Sequence, residues 1–280
     1  MESISPGIYG NIDNADYHAG PGLSSSDLKK LSQSPLHYKT SKAGPHEETD
    51  AMRFGTAVHY AVLEPDSFDE LYVKAPEGSK NSKAVKEALA EIEAAGKLPL
   101  SQKEFDAVLG MVQAIHSHPF AGRWLSGGTS ELSGYWNQHV RDERLNLDRD
   151  ILCKCRPDYL KGVGNQYAII DLKTTVSAEP EYFAKKAYWD YQYHISAAHY
   201  LTGMEALRGV RAQGFIFVAV EKSPPYAVNV FEASEEFIRA GEEANRELYT
   251  LFASCEASGN WPCYPVEPKK LMLPRGARHN

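Results

Sequence analysis

Five stretches in the second half of the chain have the hydrophobic pattern of β-strands, with apolar residues alternating with polar ones or forming short runs between turn residues. They are ELSGYWNQHV (131–140), ILCKCRPDYL (151–160), QYAIIDLKTT (166–175), AQGFIFVAVE (212–221) and YAVNVFEA (226–233). Gly162 and Gly164 lie between the second and third stretches, and they predict a hairpin that joins these two strands.

Helical patterns fill most of the remaining chain. GLSSSDLKKLSQSPLHYKTSK (22–42) contains two helix starts, one at the serines 24–26 and one at Ser34, which a proline follows. DAMRFGTAVHYAVLEP (50–65) has an apolar stripe at helical spacing that ends at Pro65. Further helices are predicted at 81–96, at 101–118 with a Ser101/Glu104 capping box, at 179–207 and at 234–259.

This order of elements predicts an α/β fold in which a central mixed β-sheet carries helices on both faces. The chain has no internal repeat and no long low-complexity linker, so we expect one domain. Within it we expect a helical part at 1–125, a sheet-bearing core at 126–255 and a basic tail at 256–280.

Composition narrows the class of protein. The chain has 280 residues, a mean hydropathy of −0.44 and a net charge of −7. It lacks an apolar run of the ~20 residues that a membrane span needs, and its start does not resemble a signal peptide, so we expect a cytoplasmic protein without a membrane partner. The negative total argues against a broadly basic surface, but it leaves room for a local basic groove.

Four cysteines, at 153, 155, 255 and 263, leave two interpretations open. A Cys-x-Cys pair with a distant second pair is compatible with a zinc or iron–sulfur site. Alternation in a strand instead places Cys153 and Cys155 on one face as small core residues, and we favour this second interpretation.

Candidate chemistry lies at the end of the third strand stretch. Asp171 and Lys173 are two positions apart and share a face of the strand, while Leu172 points into the core. Asp158 joins them if the hairpin pairs odd positions with even ones, for example 158 with 169, which also sets Arg156 opposite Asp171. Two carboxylates so close need a proton or a cation, and Mg²⁺ is the cation that carboxylate oxygens favour, with Mn²⁺ as an alternative.

Pro-Asp, a spacer and Asp-x-Lys together resemble the signature of the PD-(D/E)xK nucleases. The segments PGIYGNIDNADYHAGPGLSSSDL, GTAVHYAVLEP, CKCRPDYL, DLKTT and LMLPRGA resemble, in order and spacing, the nuclease domain of RecE-type exonucleases (exonuclease VIII) over residues 6 to 276. The resemblance implies a restriction-endonuclease-like core and an ATP-independent, metal-dependent exonuclease. Such an enzyme digests double-stranded DNA from 5′ ends and leaves 3′ single-stranded tails. The implied partners are DNA ends, a RecT-like single-strand annealing protein and further copies of the chain in a closed ring.

The resemblance also implies roles for individual residues. Asp158, Asp171 and Lys173 correspond to the catalytic set, and the implied metal ligands are His59, Asp158, Asp171 and Leu172. Glu131 corresponds to a glutamate that many family members have, and it is either an outer-shell ligand or a residue at the edge of a strand.

DNA-binding roles are implied for four further residues: Ser26, Arg156, Gln192 and Tyr200. RecB-like and RecE-like nucleases carry Gln-x-x-x-Tyr on the helix after the lysine strand. This chain keeps Tyr200 but has Ser196 in place of the glutamine, and Gln192, one helical turn earlier, is a candidate replacement. Ser26 and Arg156 are candidates for a pocket that holds a 5′-phosphate, with helix cap and salt bridge as their structural alternatives.

Two other functions stay open at this stage. One is a different PD-(D/E)xK nuclease, either Cas4-like, which requires a cysteine cluster, or of restriction type. The other is a non-catalytic DNA-binding protein of the same fold, which the complete Asp158/Asp171/Lys173 set disfavours.

Overall fold

The computed structural model describes residues 4–44, 49–79, 82–163 and 166–272. The strands in this part of the chain are β1 (Gly7–Tyr9), β2 (Tyr72–Lys74), β3 (Leu98–Leu100), β4 (Thr129–Ser130), β5 (Ser133–Asp142), β6 (Leu147–Cys155), β7 (Tyr159–Val163), β8 (Gln166–Thr175), β9 (Gly214–Glu221) and β10 (Val228–Glu232). They form a five-stranded sheet in the order β10-β9-β8-β7-β4, a three-stranded sheet β1-β5-β6 and a small β2-β3 pair.

The helices in the same part are α1 (Asn14–Ala19), α2 (Ser25–Gln33), α3 (Pro35–Ala43), α4 (Asp50–Leu63), α5 (Pro65–Leu71), α6 (Lys83–Ala94), α7 (Gln102–Ser117), α8 (Pro119–Trp124), α9 (Pro180–Lys185), α10 (Tyr193–Arg208) and α11 (Glu235–Ser258). A π-helical turn, Lys186–Asp190, follows α9 directly.

The five-stranded sheet is mixed, because β8 and β9 are parallel and the other neighbours are antiparallel. The parallel pair needs a crossover, which α9, the π-turn and α10 supply. Helices cover both faces. Even-numbered residues of β8, such as Ile170 and Leu172, pack with α4, α7 and α8, while odd-numbered residues such as Ile169 pack with α2, α10 and α11. The predicted α/β fold with a mixed sheet flanked by helices is confirmed.

Several local predictions are also confirmed. Ser24 caps α2 in a capping box with Asp27, Ser34 caps α3, and Ser101 forms the expected box with Glu104. β8 has the predicted bounds, and β7 and β8 form the predicted hairpin. Gly164, named for that hairpin turn, lies outside the described residues.

The prediction of one strand over 151–160 is wrong. β6 ends at Cys155 in the three-stranded sheet, and β7 begins at Tyr159 in the five-stranded sheet. Pro157 lies at the junction; it has no backbone N–H to continue a ladder of hydrogen bonds. The chain therefore changes sheets at Pro157-Asp158, which leaves Asp158 at the point where the two sheets meet.

The prediction of one helix over 179–207 is also wrong. α9 passes into the π-turn, and Gln192 adopts left-handed backbone angles, with φ 49°, before α10 begins. The stretch between Pro180 and Gly203 contains no proline or glycine to signal this break. Tertiary packing of the aromatic residues therefore sets the path of the chain here.

Candidate active site

The strand periodicity of β8 places Asp171 and Lys173 on one face and Leu172 on the other. Leu172 is fully buried among the helices of the α4 side, and Asp171 is buried on the α10 side. The Lys173 ammonium forms an ion pair with the Asp171 carboxylate. The shared face that the sequence predicts for these two residues is therefore present in the structure.

Asp158 reaches this pair from the junction between the two sheets. In the hairpin Tyr159 pairs with Ile170, which is shifted by two residues from the predicted pairing of 158 with 169 but matches odd positions with even ones as required. The backbone N–H of Leu172 donates to Asp158 Oδ2 at 2.7 Å. The same oxygen lies 3.9 Å from Lys173 Nζ, so Asp158, Asp171 and Lys173 meet in one small volume.

Burial and neighbouring charges shift the pKa values of Asp171 and Lys173. Burial raises the pKa of the Asp171 carboxyl, and the nearby Asp158 charge adds to the rise while the Lys173 ammonium opposes it. Burial acts to lower the pKa of Lys173, but the Asp171 and Asp158 carboxylates outweigh it and raise that pKa above its ordinary value. Lys173 is therefore a fixed positive charge at neutral pH.

His59 and Glu131 complete the site from the opposite side. One ligand atom each from His59, Glu131 and Asp158 lie within 4.8 Å of one another, and this is the one such group of three metal-ligating side chains in the described part of the chain. His59 Nε2 lies 2.9 Å from the Leu172 carbonyl oxygen, and Nδ1 lies 3.7 Å from Asp158 Oδ2.

Glu131 lies between β4 and β5 with φ 51°, and its N–H donates to the Asp158 carbonyl at 3.1 Å. Burial and the Asp158 carboxylate raise the pKa of Glu131 to about 8. This position makes Glu131 a candidate for a direct metal ligand, whereas the sequence suggested an outer-shell ligand or a strand-edge residue.

The donor set fits a divalent cation. Carboxylates and a backbone carbonyl are the oxygen ligands of Mg²⁺, and an imidazole nitrogen also suits Mn²⁺. Burial, with the neighbouring Asp158 charge, raises the pKa of Glu131 and of Asp171, and a bound cation would offset both effects. Of the predicted ligands, His59 and Asp158 surround one candidate position together with Glu131, and the Leu172 carbonyl oxygen lies 2.9 Å from His59 Nε2. Asp171 is not in this group and pairs with Lys173 instead.

Arg156 does not pair with Asp171, because it precedes the Pro157 junction and lies outside the β7–β8 hairpin. Its guanidinium is buried, donates to Ser133 Oγ and to the Ile12 carbonyl oxygen at 2.7 Å, and lies 4.3 Å from the centre of the Tyr17 ring. The salt bridge to Asp171, which was the structural alternative for Arg156, is therefore wrong, and Arg156 anchors the N-terminal segment to the core.

The other predicted DNA-binding residues surround α2. Ser26 is exposed in the first turn of α2, where Asp27 is tied up in the capping box and in an ion pair with Lys42 at 2.8 Å. Tyr200 contacts the Ser25 hydroxyl; burial raises its pKa, as do the Asp171 and Asp158 charges. The fold thus brings Tyr200 close to the carboxylates.

Gln192 precedes α10 and is not a residue of the helix, so the face argument that paired it with Ser196 does not hold. Its side chain accepts a hydrogen bond from Ser32 Oγ at 3.2 Å, whereas Ser196 is buried. Its role towards DNA stays a prediction.

Two residues at the site were missed by the sequence reasoning. Lys173 Nζ lies 5.3 Å from the centre of the Tyr193 ring, and Lys29 Nζ lies 5.2 Å from the same ring. Burial and the Lys173 charge lower the pKa of Lys29 to about 8. Lys29 lies one helical turn after Ser25. This spacing is the sequence signal that could have placed Lys29 on the same helix face as the serine-rich start of α2.

The cysteines fit the core interpretation. Cys153 and Cys155 are fully buried in the hydrophobic core, Cys255 is buried, and Cys263 is exposed and close to Ser34. No cysteine belongs to the metal-ligating group of the described residues, which disfavours a Cas4-like cluster.

Within the described ranges, no helix combines the length and apolarity that crossing a membrane demands.

This arrangement of a Pro-Asp junction, an Asp-x-Lys strand and a mixed sheet flanked by helices defines the PD-(D/E)xK class of folds. The chain belongs to the family described as PDDEXK-like domain of unknown function (DUF3799), whose model matches residues 24–267. No curated protein matches the chain.

A solved structure supports the fold. The chain is similar to a protein from Eubacterium rectale described as a putative exonuclease, with a TM-score of 0.57 and 14% identity over 93% of this chain and 91% of that one. SSO0001 (TM-score 0.28, 14% identity, 79% of this chain and 83% of that one) and VC1899 from Vibrio cholerae (TM-score 0.22, 12% identity, 88% and 58%) overlap too loosely to add to the argument.

Proposed function

We propose that this chain is a divalent-metal-dependent exodeoxyribonuclease that degrades double-stranded DNA from 5′ ends without ATP and leaves 3′ single-stranded tails for strand annealing. The observation that carries the proposal is the convergence of Asp158, Asp171, Lys173 and the Leu172 carbonyl, with His59 and Glu131 beside them. Family membership and the structural likeness to the Eubacterium rectale protein support a nuclease.

Each of these groups has a separate role in phosphodiester hydrolysis. The acidic groups and His59 would hold a divalent cation, which would supply Lewis-acid activation of the phosphate and of a water. Lys173, kept protonated by its acidic neighbours, offsets charge on the phosphate and orients the water through its N–H donors. The Leu172 N–H fixes the Asp158 carboxylate, which holds the site to one geometry.

The wider assignment includes a RecT-like single-strand annealing protein as partner, a closed ring of several copies around the DNA and a cytoplasmic location. A ring reconciles the net charge of −7 with DNA binding, since basic side chains need only line its channel.

The test is digestion of linear and circular duplex DNA, labelled separately at the 5′ and 3′ ends, with and without Mg²⁺ and ATP. We expect loss of 5′ label from linear duplex, dependence on Mg²⁺, independence of ATP and no attack on closed circles. Cleavage of circles would indicate a restriction-type endonuclease, and DNA binding without any cleavage would indicate a non-catalytic protein.

A further inference from the structure

Two large aromatic side chains are exposed immediately before α10. Trp189, in the π-turn, is 76% exposed, and Tyr191, the next residue but one, is 46% exposed. The Trp189 ring meets Tyr188 edge to face at 4.7 Å, and Tyr191 stacks on Tyr193. We refer to Trp189 and Tyr191 together as the aromatic platform. Neither residue is needed to fill the core, so their exposure calls for another explanation.

A stack of rings links the platform to the catalytic lysine. Phe217, Tyr193 and Tyr191 follow one another with ring centres 5.7 Å and 5.3 Å apart and interplanar angles of 24° and 23°. Lys173 Nζ lies 5.3 Å from the centre of the middle ring. Tyr191 is therefore only one ring farther from the catalytic site than Tyr193, which is within the reach of a single nucleotide.

Positively charged side chains lie near Tyr193, and uncharged aromatic surface lies at Tyr191. A nucleotide presents its phosphate and its base in the same order. Lys29 and Lys173 both approach the middle ring of the stack, Tyr193, and no carboxylate of the described chain forms an ion pair with Lys29. At the outer end of the stack Lys186 and Asp190 neutralise each other. Because Lys173 is paired with Asp171, Lys29 supplies the positive charge for a phosphate beside Tyr193, and flat aromatic surface lies where the base would reach.

The backbone holds the platform in place by two unusual conformations. The π-turn and the left-handed Gln192 interrupt what would otherwise be one helix, and Ser32 on α2 donates to the Gln192 side chain. Such interruptions are costly in backbone energy and occur preferentially at functional sites.

We propose that Trp189 and Tyr191 bind unpaired bases of a DNA strand whose phosphate lies at the catalytic site, so that the platform recognises single-stranded DNA. Stacking on an aromatic side chain needs an exposed base face, which a base inside a duplex does not offer. This inference rests on the proposed nuclease function for the identity of the strand, but the binding itself requires no catalysis.

The experiment measures binding of an oligothymidylate of about twelve nucleotides, within the usual site size of single-strand binding modules, in the presence of a chelator so that no cleavage occurs. We expect Trp189→Ala and Tyr191→Ala each to weaken binding about tenfold, in line with the loss of one stacked base. Trp189→Phe should restore most of the affinity. The matched control is Phe120→Ala, since Phe120 is 62% exposed on α8, which packs on the other face of the sheet.

An abasic scan locates the bases. Single abasic sites placed along the oligonucleotide should reduce affinity at one or two adjacent positions in the wild type and at none in the Trp189→Ala, Tyr191→Ala double variant. Unchanged affinity in both single variants, or a uniform response to every abasic site, would overturn the inference.

This result is separate from the test of the proposed function. If linear duplex is cleaved but the platform variants bind single strands like the wild type, only the platform is lost. If single strands bind through the platform but no DNA is cleaved with Mg²⁺ or Mn²⁺, only the proposed nuclease activity is lost.

Discussion

One oxygen atom, Asp158 Oδ2, connects most of the candidate site. It accepts from the Leu172 N–H, faces Lys173 Nζ at 3.9 Å and His59 Nδ1 at 3.7 Å. Strand periodicity predicted that Asp171 and Lys173 share a face, and the even–odd rule of the hairpin predicted that Asp158 joins them. The role of Glu131 depends on a left-handed backbone turn and a bond to the Asp158 carbonyl, and no local sequence pattern specifies either.

Lys173→Ala tests the catalytic assignment. We expect the cleavage rate to fall by about two to three orders of magnitude, the range typical of losing one preorganised donor that stabilises charge in the transition state. Metal binding should persist or strengthen, because a competing positive charge leaves the carboxylates. Metal-saturated initial rates and Mn²⁺ titrations measure the two effects.

The matched control is Lys185→Ala, because the Lys185 side chain is 74% exposed and its ion pair in the described part of the chain is with Glu181 at 3.9 Å. It should cleave like the wild type. A Lys173→Ala enzyme within threefold of the wild-type rate would remove Lys173 from the mechanism.

Glu131 gives the site a dependence on pH. The unfolded chain loses this proton near the ordinary carboxyl pKa of about 4.3, whereas the folded protein keeps it up to about pH 8. Between these values the folded state binds more protons, so the free energy of unfolding of the metal-free protein falls as pH rises. Metal binding needs the deprotonated carboxylate, so the stabilisation by Mg²⁺, Mn²⁺ or Ca²⁺ should grow over the same interval.

Melting temperatures at pH 6 and pH 8.5, with and without each cation, test this prediction. Glu131→Gln should flatten the pH dependence of the metal-free protein and reduce the metal-induced shift. Glu143→Gln, at a carboxylate whose side chain is 84% exposed, is the control and should do neither. A metal-induced shift that is larger at pH 6 than at pH 8.5 would contradict the assignment.

At the level of whole elements, the sequence predicted the capped helices and the strand β8 well, because their signals are local. It failed where the chain changes sheets at Pro157 and where the π-turn interrupts the crossover between β8 and β9. Both breaks depend on contacts with distant elements. In the π-turn, Tyr188 stacks on His194 at 4.5 Å, and Ser32 of α2 binds Gln192. Each break places a residue at the candidate site: Asp158 after Pro157, and Tyr193 after the π-turn.

Gln192→Gly tests the backbone conformation and the side chain of Gln192 separately, because it keeps the first and removes the second. Left-handed angles cost a residue with a side chain about 1–2 kcal/mol that glycine does not incur, so the melting temperature should stay the same or rise. If the Gln192 amide positions DNA, as the resemblance to Gln-x-x-x-Tyr nucleases implies, the cleavage rate should nevertheless fall by about tenfold, the loss expected for one neutral hydrogen bond of ~1 kcal/mol or slightly more.

Ser196→Ala is the comparison, since Ser196 stands where those nucleases have the glutamine. We expect it to change the cleavage rate much less than Gln192→Gly does. Equal and small effects of the two variants would show that this part of the crossover does not position the substrate.

For the whole molecule, composition and resemblance predicted a single α/β nuclease fold, and the mixed sheet with two helical faces confirms the fold class. Assembly and substrate polarity stay predictions, because a ring channel and a DNA end involve surfaces of several copies. The structure nevertheless limits what the replacement of Arg156 can show about DNA binding. Arg156 holds Ile12 and Ser133, so its removal will disturb the N-terminal segment whatever its role towards DNA.

An exonuclease that starts at 5′ ends should distinguish 5′-phosphate from 5′-hydroxyl termini, and the ratio of the two initial rates reports this without depending on protein stability. We expect the wild type to prefer the phosphate. The start of α2, where Ser26 is exposed, directs helix N-terminal backbone N–H groups towards an anion, and the Asp27 N–H among them donates to Ser24 Oγ. Ser26→Ala keeps those groups and should lower the ratio only slightly. Arg156→Lys should lower it more if the guanidinium also reaches the phosphate, because lysine loses the two-pronged donor.

A purely structural Arg156 gives a different result. Its replacement then slows cleavage of both substrates by the same factor and lowers the melting temperature, while the ratio stays at the wild-type value. Phosphate and hydroxyl ends degraded at equal rates by the wild type would remove the pocket altogether. In that case the anchoring of the N-terminal segment through Ile12 and Ser133 would be the whole function of Arg156.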